Sequence, residues 1–238
     1  MTLAIETTGP VVRLDLNRPD EGNAMTPALL EELTQALQDY GSAVDTRVIA
    51  LTPKGPQFCG GRDTSGGPAP ASSAHALRTG PVAKILGLYR AVAAAPVPVV
   101  ACVQGDAHGM GAALAGCADI TLVSDTARMS FPEITHDIAP TLAMSAVLTT
   151  VAPKALAYLI YSGEQIGAQQ AAEVGLASTI LPHAGFDEAC TKFLDSLASR
   201  PRVVLETIKQ YHAAALHLPP AQKSDLAGHL MALMQPAL

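Results

Sequence analysis

The chain has 238 residues, enough for a sizeable core in one domain; 49% are hydrophobic, 15% charged and 4% aromatic, the make-up of an α/β interior built from Val, Leu, Ile and Ala. A net charge of −6 excludes broad binding to nucleic acid, which depends on neutralising many backbone phosphates with Lys and Arg. The longest apolar run, AVAAAPVPVVACV, is broken by Pro96 and Pro98 and too short to span a bilayer, and Met1 is followed by no basic segment or cleavage pattern, so a cytoplasmic protein off the membrane is expected.

Along the chain, LAIET and VVRLDL flank Thr8-Gly9-Pro10 with partial alternation and predict a hairpin. Thr26 is placed to cap a helix that Pro27 opens, Leu29, Leu30, Leu33 and Leu37 line, and Gly41 ends. RVIALT (47–52) predicts a strand running into the glycine-bearing loop PKGPQFCGGRD. From Pro53 to Gly80 the abundance of Gly, Pro and Ser, with little periodicity, marks a long loop of the functional kind. PVAKILGLYRAVAAA predicts a helix leading to a strand over 97–103, and VVACVQGDAHGMGAALAGCADI (99–120) reads as buried strand, glycine turn and alanine-rich helix. Strands follow at ITLVS and ARMSF, then helices around 141–150 and 153–161, a short helix over AQQAAEVGL, a strand over ASTILP, and three helices near 185–199, 202–217 and 220–235. No repeat of fixed period is present.

A helix that begins at glycines presents free backbone N–H groups and a positive dipole end. Two strand-to-glycine exits can each supply one N–H to a developing oxyanion, which points to acyl chemistry. Other chemistries find less support. Cys59, Cys102, Cys117 and Cys190 are scattered without a CxxC pair, as expected of reduced, buried thiols. Cys59 lacks the local signature of cysteine hydrolases, and Ser130 lacks a GxSxG elbow. The 60–67 stretch has no lysine to serve a triphosphate loop, and no HxH or HExxH spacing marks a metal site, so no metal is expected. His108, one residue before the glycine turn, is read as a structural histidine more readily than a proton donor.

Five ordered segments carry a resemblance to a known family: LNRPDEGNAM, FCGGRD, VQGDAHGMGAALAGCADI, FPEI and YSGEQIGAQQAAEVGLASTILP. Together they resemble the crotonase family, the enoyl-CoA hydratase/isomerase superfamily, over nearly the whole chain. The resemblance implies an α/β spiral of ββα units over residues 1–184, holding an acyl-CoA site, and a C-terminal helical region over 185–238 that mediates homotrimers, often paired into hexamers. It implies an acyl-CoA thioester substrate, with CoA belonging to the substrate and no separate cofactor. The thioester oxygen would be held by the backbone N–H groups of Arg62 and Met110, where the family commonly has small residues; backbone donors survive such changes if φ and ψ allow.

By the same resemblance, Glu133 in FPEI falls on the family's acid/base glutamate. Beside Phe131, Pro132 and Ile134 its pKa is expected to rise toward the range useful for proton transfer; the blander reading of Glu133 is a solvated loop or capping residue. Ala113 stands one helical turn after Met110, where hydratases of the family carry a second glutamate. A lone glutamate still suffices to move a proton between carbons, so double-bond isomerisation is the preferred expectation. Hydration is the alternative and needs His136 or Asp137 to position water; Asp137 also reads as a turn residue or the N-cap of the helix near Thr141. A non-catalytic CoA-binding or assembly subunit is the third reading. Gly61, Asp63, Thr64, Ser65, Gly109 and Pro132 are the expected substrate-binding positions, Val97–Ala101 the adenine and pantetheine side, and Arg78 and Lys84 candidate phosphate partners. Apolar spacing through Leu194, Leu197, Ala198, Val203, Val204, Ile208, Tyr211, Leu226, Leu230 and Leu233 fits helix faces available to a trimer interface or to the chain's own core.

Overall fold

The computed structural model describes residues 2–66 and 72–234. The middle of the predicted 53–80 loop (67–71) and the last residue of the predicted 220–235 helix lie outside them. In chain order the strands are β1 (Leu3–Thr8), β2 (Val11–Leu16), β3 (Val48–Pro53), β4 (Val99–Val103), β5 (Ala107–His108), β6 (Ile120–Ser124), β7 (Arg128–Ser130), β8 (Ile166–Gly167) and β9 (Thr179–Leu181). The helices are α1 (Pro27–Ser42), α2 (Ala74–Thr79), α3 (Pro81–Ala94), α4 (Met110–Gly116), α5 (Thr141–Val147), α6 (Pro153–Ser162), α7 (Ala168–Glu173), α8 (Phe186–Ala198), α9 (Arg202–Ala215) and α10 (Pro220–Met234).

The hairpin forms as read, β1 antiparallel to β2, and β2, β3, β4, β6 and β9 continue in parallel to make a sheet of order β1-β2-β3-β4-β6-β9. Thr26 caps α1, its Oγ1 accepting from Leu29 N at 3.1 Å. The helix runs one residue past Gly41, because carbonyls at its end find a partner from far along the chain. Arg202 donates to Gly41 O at 2.9 Å, to Thr46 O at 2.6 Å and to Ala43 O.

A second, small sheet sets the path of the chain: β5 runs parallel to β7, β7 antiparallel to β8, and Cys59 joins β5 by an isolated parallel bridge to Ala107. After β3 the chain touches this layer at Cys59 and proceeds to α2 and α3. After β4 it passes through β5 into α4; after β6, through β7 toward α5 and α6. Each turn is thus strand, short strand, helix, the expected spiral of ββα units. The two-residue strands β5 and β8, and α2 inside the predicted loop, carry no periodicity from which to read them.

Alternate residues of the large sheet serve two cores. Ile49, Leu51, Val99, Ala101, Val103 and Val123 pack with Leu29, Leu33 and Leu37 of α1, Leu88 and Val92 of α3 and Leu114 of α4. Val48, Ala50, Val100, Cys102 and Leu122 face Phe186, Cys190, Leu194 and Ala198 of α8. Covering both faces explains why the parallel strands read as continuous apolar runs, and each buried Val, Leu or Ile contributes about 1.5–3 kcal/mol. So α8, at the start of the 185–238 region, is part of the sheet's own packing.

The helix α9 is pinned by Lys209, only 9% exposed, whose Nζ donates to Val92 O at 3.0 Å, Val97 O at 3.2 Å and Asp119 Oδ2 at 2.7 Å. The same carboxylate accepts from Val99 N at 2.8 Å, tying the helix to the start of β4. Against α9 rests α10, which buries none of its described residues. No described helix is long and apolar enough to cross a membrane.

Candidate active site

Two strand exits meet beside each other. Phe58 N and Cys59 N donate to Asp106 O at 3.1 and 3.2 Å, and His108 N donates to Cys59 O at 2.9 Å, so segments 58–61 and 106–111 run side by side. Glycine permits the approach: a Cβ on Gly111 would lie 2.7 Å from Cys59 Cβ and 2.9 Å from its Sγ, and one on Gly61, at φ +101°, would lie 3.0 Å from His108 O and 3.9 Å from Met110 N. The first loop is clamped from the N-terminal side by the LNRPDEGNAM segment. Asn23, itself at φ 53°, donates to Lys54 O and Gln57 O at 2.9 and 2.8 Å and accepts from Arg18 N at 2.8 Å. Gly60 N donates to Gly22 O, Met25 N to Gly61 O and Asp63 N to Met25 O. Between these occupied donors, Arg62 N finds no acceptor among the described residues, and neither does Met110 N at the start of α4.

Glu133 sits on a 3₁₀ turn, Pro132–His136, that follows β7 and the fully buried Phe131. Its carboxyl group lies directly over Gly109: a Cβ there, at φ +50°, would be 2.7 Å from Glu133 Oε1 and 3.3 Å from its Cδ. The other oxygen, Oε2, is buried without a hydrogen-bond partner among the described residues. Burial holds the Glu133 pKa above its ordinary value, opposed by its own backbone N–H and by His136. Arg62, Met110 and Glu133 line one cleft of about 320 Å³, walled by Ile85, Ile138, Pro140, Leu142 and Ala143.

Gly61, Thr64, Gly109, Pro132 and His136 also line this cleft, whereas Asp63, Ser65 and Asp137 do not. Asp63 is engaged elsewhere, accepting from Ser65 Oγ and N at 2.6 and 2.9 Å and pairing with Arg18 at 3.1 Å; these contacts, Ser65 foremost, lower its pKa. Asp137 is exposed, in the left-handed conformation at φ 58°, and ends the Glu133 turn; the N-cap of α5 is Pro140. Val97–Ala101 are buried, the last three within β4, and are absent from the cleft lining, because strand pairing from Val99 on and packing in both cores enclose them. Lys84 pairs with Glu31, and Arg78 lies exposed on α2.

His108 points its Nδ1 to Ser130 Oγ at 2.8 Å, outside the cleft lining, and burial lowers its pKa. Cys59 is fully buried, its thiol pushed up to about 12, which leaves no thiolate for nucleophilic attack. Ala113 is 0% exposed within α4 and offers the cleft no polar atom. Among the described residues no three His, Cys, Asp or Glu side chains cluster as metal ligands do.

One polar group of the cleft was not singled out from the sequence: Tyr89, on α3. It is 7% exposed, lines the cleft with Glu133, and its hydroxyl is buried with no hydrogen-bond partner among the described residues. Within GLYRAV it reads as one more apolar helix position, since only the fold shows where its polar tip ends.

Comparison with known proteins identifies the family and the fold. The sequence profile of the enoyl-CoA hydratase/isomerase family matches residues 6–235. A Rhizobium meliloti protein named probable enoyl-CoA hydratase is 34% identical over 181 residues, 76% of this chain and 68% of its own length. A Rhodobacter capsulatus protein of the same name is 30% identical over 223 residues, covering 93% and 85%. The crystal structure of an enoyl-CoA hydratase from Mycobacterium smegmatis superposes with a TM-score of 0.92 at 24% identity, covering 98% of this chain and 90% of that one, a likeness of fold. The paired glycine exits, the glutamate over Gly109 and the ββα spiral thus stand in a chain that belongs to the enoyl-CoA hydratase/isomerase family of enzymes, with the crotonase fold.

Proposed function

We propose that the protein acts on enoyl-CoA thioesters, with the backbone N–H groups of Arg62 and Met110 receiving the thioester oxygen and Glu133 as its acid/base. The observation that carries this reading is the Glu133 carboxyl lying over Gly109, in the same cleft as two residues whose backbone donors have no acceptor among the described residues. Donors fixed beforehand favour the enolate over the thioester, because negative charge grows on that oxygen as a proton leaves C2. A raised carboxylate pKa suits a group that takes a proton from carbon and returns it.

The preferred reaction is isomerisation. Glu133 takes a proton from C2 of a 3-enoyl-CoA, the C2–H electron pair forms the C1=C2 bond of a dienolate as charge moves to the thioester oxygen, and on collapse the proton returns at C4, leaving a C2=C3 double bond. Glu133 is the one carboxylate among the described cleft-lining residues, with Ala113 buried and apolar, and one carboxylate suffices for this cycle. Hydration is the second reading, supported by the names of the relatives. It needs a group to hold water, and of the two side chains expected for that task His136 lines the cleft. CoA arrives as part of the substrate, so neither reaction requires a cofactor.

Assays with 3-enoyl-CoA and 2-enoyl-CoA separate the readings. Isomerisation predicts turnover of the former, lowered about 10²–10⁴-fold by Glu133→Gln. Hydration without any 3-to-2 shift would replace isomerisation, and binding without turnover of either would leave a CoA-binding subunit. Self-association into trimers or hexamers is supported by α10, which buries nothing and exposes Met231 and Leu233, and by the exposed Ile208 of α9. Light scattering that returned a monomer at micromolar concentration would remove that part of the proposal.

A further inference from the structure

Two buried polar atoms of cleft-lining residues have no hydrogen-bond partner among the described residues: Tyr89 Oη and Glu133 Oε2. A buried polar group left unsatisfied is costly, and one such group facing a cleft marks where a ligand atom completes the hydrogen bonding. The two atoms are complementary in kind. A phenol held above its ordinary pKa by burial, Cys117 and Glu133 stays protonated and donates, whereas a carboxylate accepts. Tyr89 reaches the cleft from α3 and Glu133 from the turn after β7, while the buried Ala113 contributes no polar atom from α4.

We propose that Tyr89 is a positioning residue that, with Glu133, holds one oxygen atom of the reactant: Tyr89 Oη donates a hydrogen bond to that oxygen, and Glu133 Oε2 accepts its hydrogen. This rests on the acyl-CoA reading above. The shared chemistry is a hydroxyl-type oxygen near C3 of the acyl chain, and it has two sources. It is a water added to a 2-enoyl thioester, or a hydroxyl the acyl group already carries. For water the step balances: the C3–O bond forms as the C2=C3 electron pair moves toward the thioester oxygen, one water proton passes to Glu133, and Glu133 returns a proton to C2.

The test compares binding of 3-hydroxybutyryl-CoA and butyryl-CoA, identical except for that oxygen, to the full-length wild type and to Tyr89→Phe, by calorimetry. The wild type is expected to prefer the hydroxylated ligand about tenfold, the scale of one well-made hydrogen bond, and Tyr89→Phe to bring the ratio close to one. Melting curves guard against misfolding: removing an unpartnered buried hydroxyl is expected to leave Tm unchanged or raise it. A wild-type preference that survives Tyr89→Phe, or no preference in the wild type, overturns the proposal while leaving the acyl-CoA reading intact. Failure of the wild type to bind either thioester overturns both. Given the preference, hydration of 2-butenoyl-CoA lost together with it in Tyr89→Phe identifies the oxygen as water; the preference without any hydration assigns it to the acyl chain.

Discussion

At Gly109 one methyl group decides how Glu133 can sit, because a Cβ there would lie 2.7 Å from the carboxylate oxygen and the backbone is at positive φ. Gly109→Ala is therefore expected to lower kcat/KM by at least about 10²-fold through displacement of the carboxylate, and to destabilise by about 1–3 kcal/mol from the backbone. Steady-state kinetics beside urea unfolding read the two effects separately. Glu133 itself carries a pH signature. Its folded-state pKa lies above the unfolded value, so its contribution to stability is fully present below the unfolded pKa and is lost as pH rises through the folded one. Melting curves are expected to show Glu133→Gln more stable than the wild type at neutral pH, the gap closing as the medium becomes acid; a gap independent of pH would contradict the assignment. With Glu133 as base in the free enzyme, the acid limb of kcat/KM is expected above the ordinary glutamate value.

At the scale of elements, the site depends on how tightly α4 and its lead-in pack on the 58–61 segment. A Cβ at Gly111 would meet the Cys59 backbone carbonyl oxygen first and Cys59 Cβ at 2.7 Å, so one element must move. Gly111→Ala is expected to cost about 1–3 kcal/mol by overpacking, and to weaken turnover more than CoA-thioester binding, because it shifts Met110 N relative to Arg62 N. Elements of this kind were legible to different degrees. Period and capping exposed α1, where Thr26, Pro27 and the leucine stripe act locally; its end past Gly41 was not legible, because Arg202 supplies the late capping from another helix. The Glu133 turn and β5 are too short to leave a pattern, and that Asp63 and Ser65 lie outside the cleft lining, bonded to each other and Asp63 to Arg18, depends on contacts the sequence does not show.

Across the whole molecule, α9 is joined to the spiral by Leu205 in the apolar core and by a few polar contacts. Lys209 bridges α9 to Asp119, to the Val92 carbonyl of α3 and to the Val97 carbonyl just before β4, so Lys209→Met strands those acceptors. A loss of about 2–3 kcal/mol in urea unfolding is expected, below the range for a fully buried pair because Asp119 keeps some solvent contact and its bond from Val99 N. Loss of oligomers in the same variant would tie α9 to assembly, whereas unchanged stability would show that the lysine is dispensable.

The order of motifs along the chain was enough to name the family, to place Glu133, Arg62 and Met110 as candidates, and to mark Ala113 as the departure, since these depend on residue identity at fixed positions. Hydrophobic period and glycine placement, which act within a few residues, were enough for most strands and helices. Which side chains share the cleft was settled in three dimensions, by strand crossovers and by contacts between residues far apart in the chain. Arg18 holds Asp63 outside it, Glu133 lies over Gly109, and Tyr89, whose hydroxyl has no partner among the described residues, lines the same space.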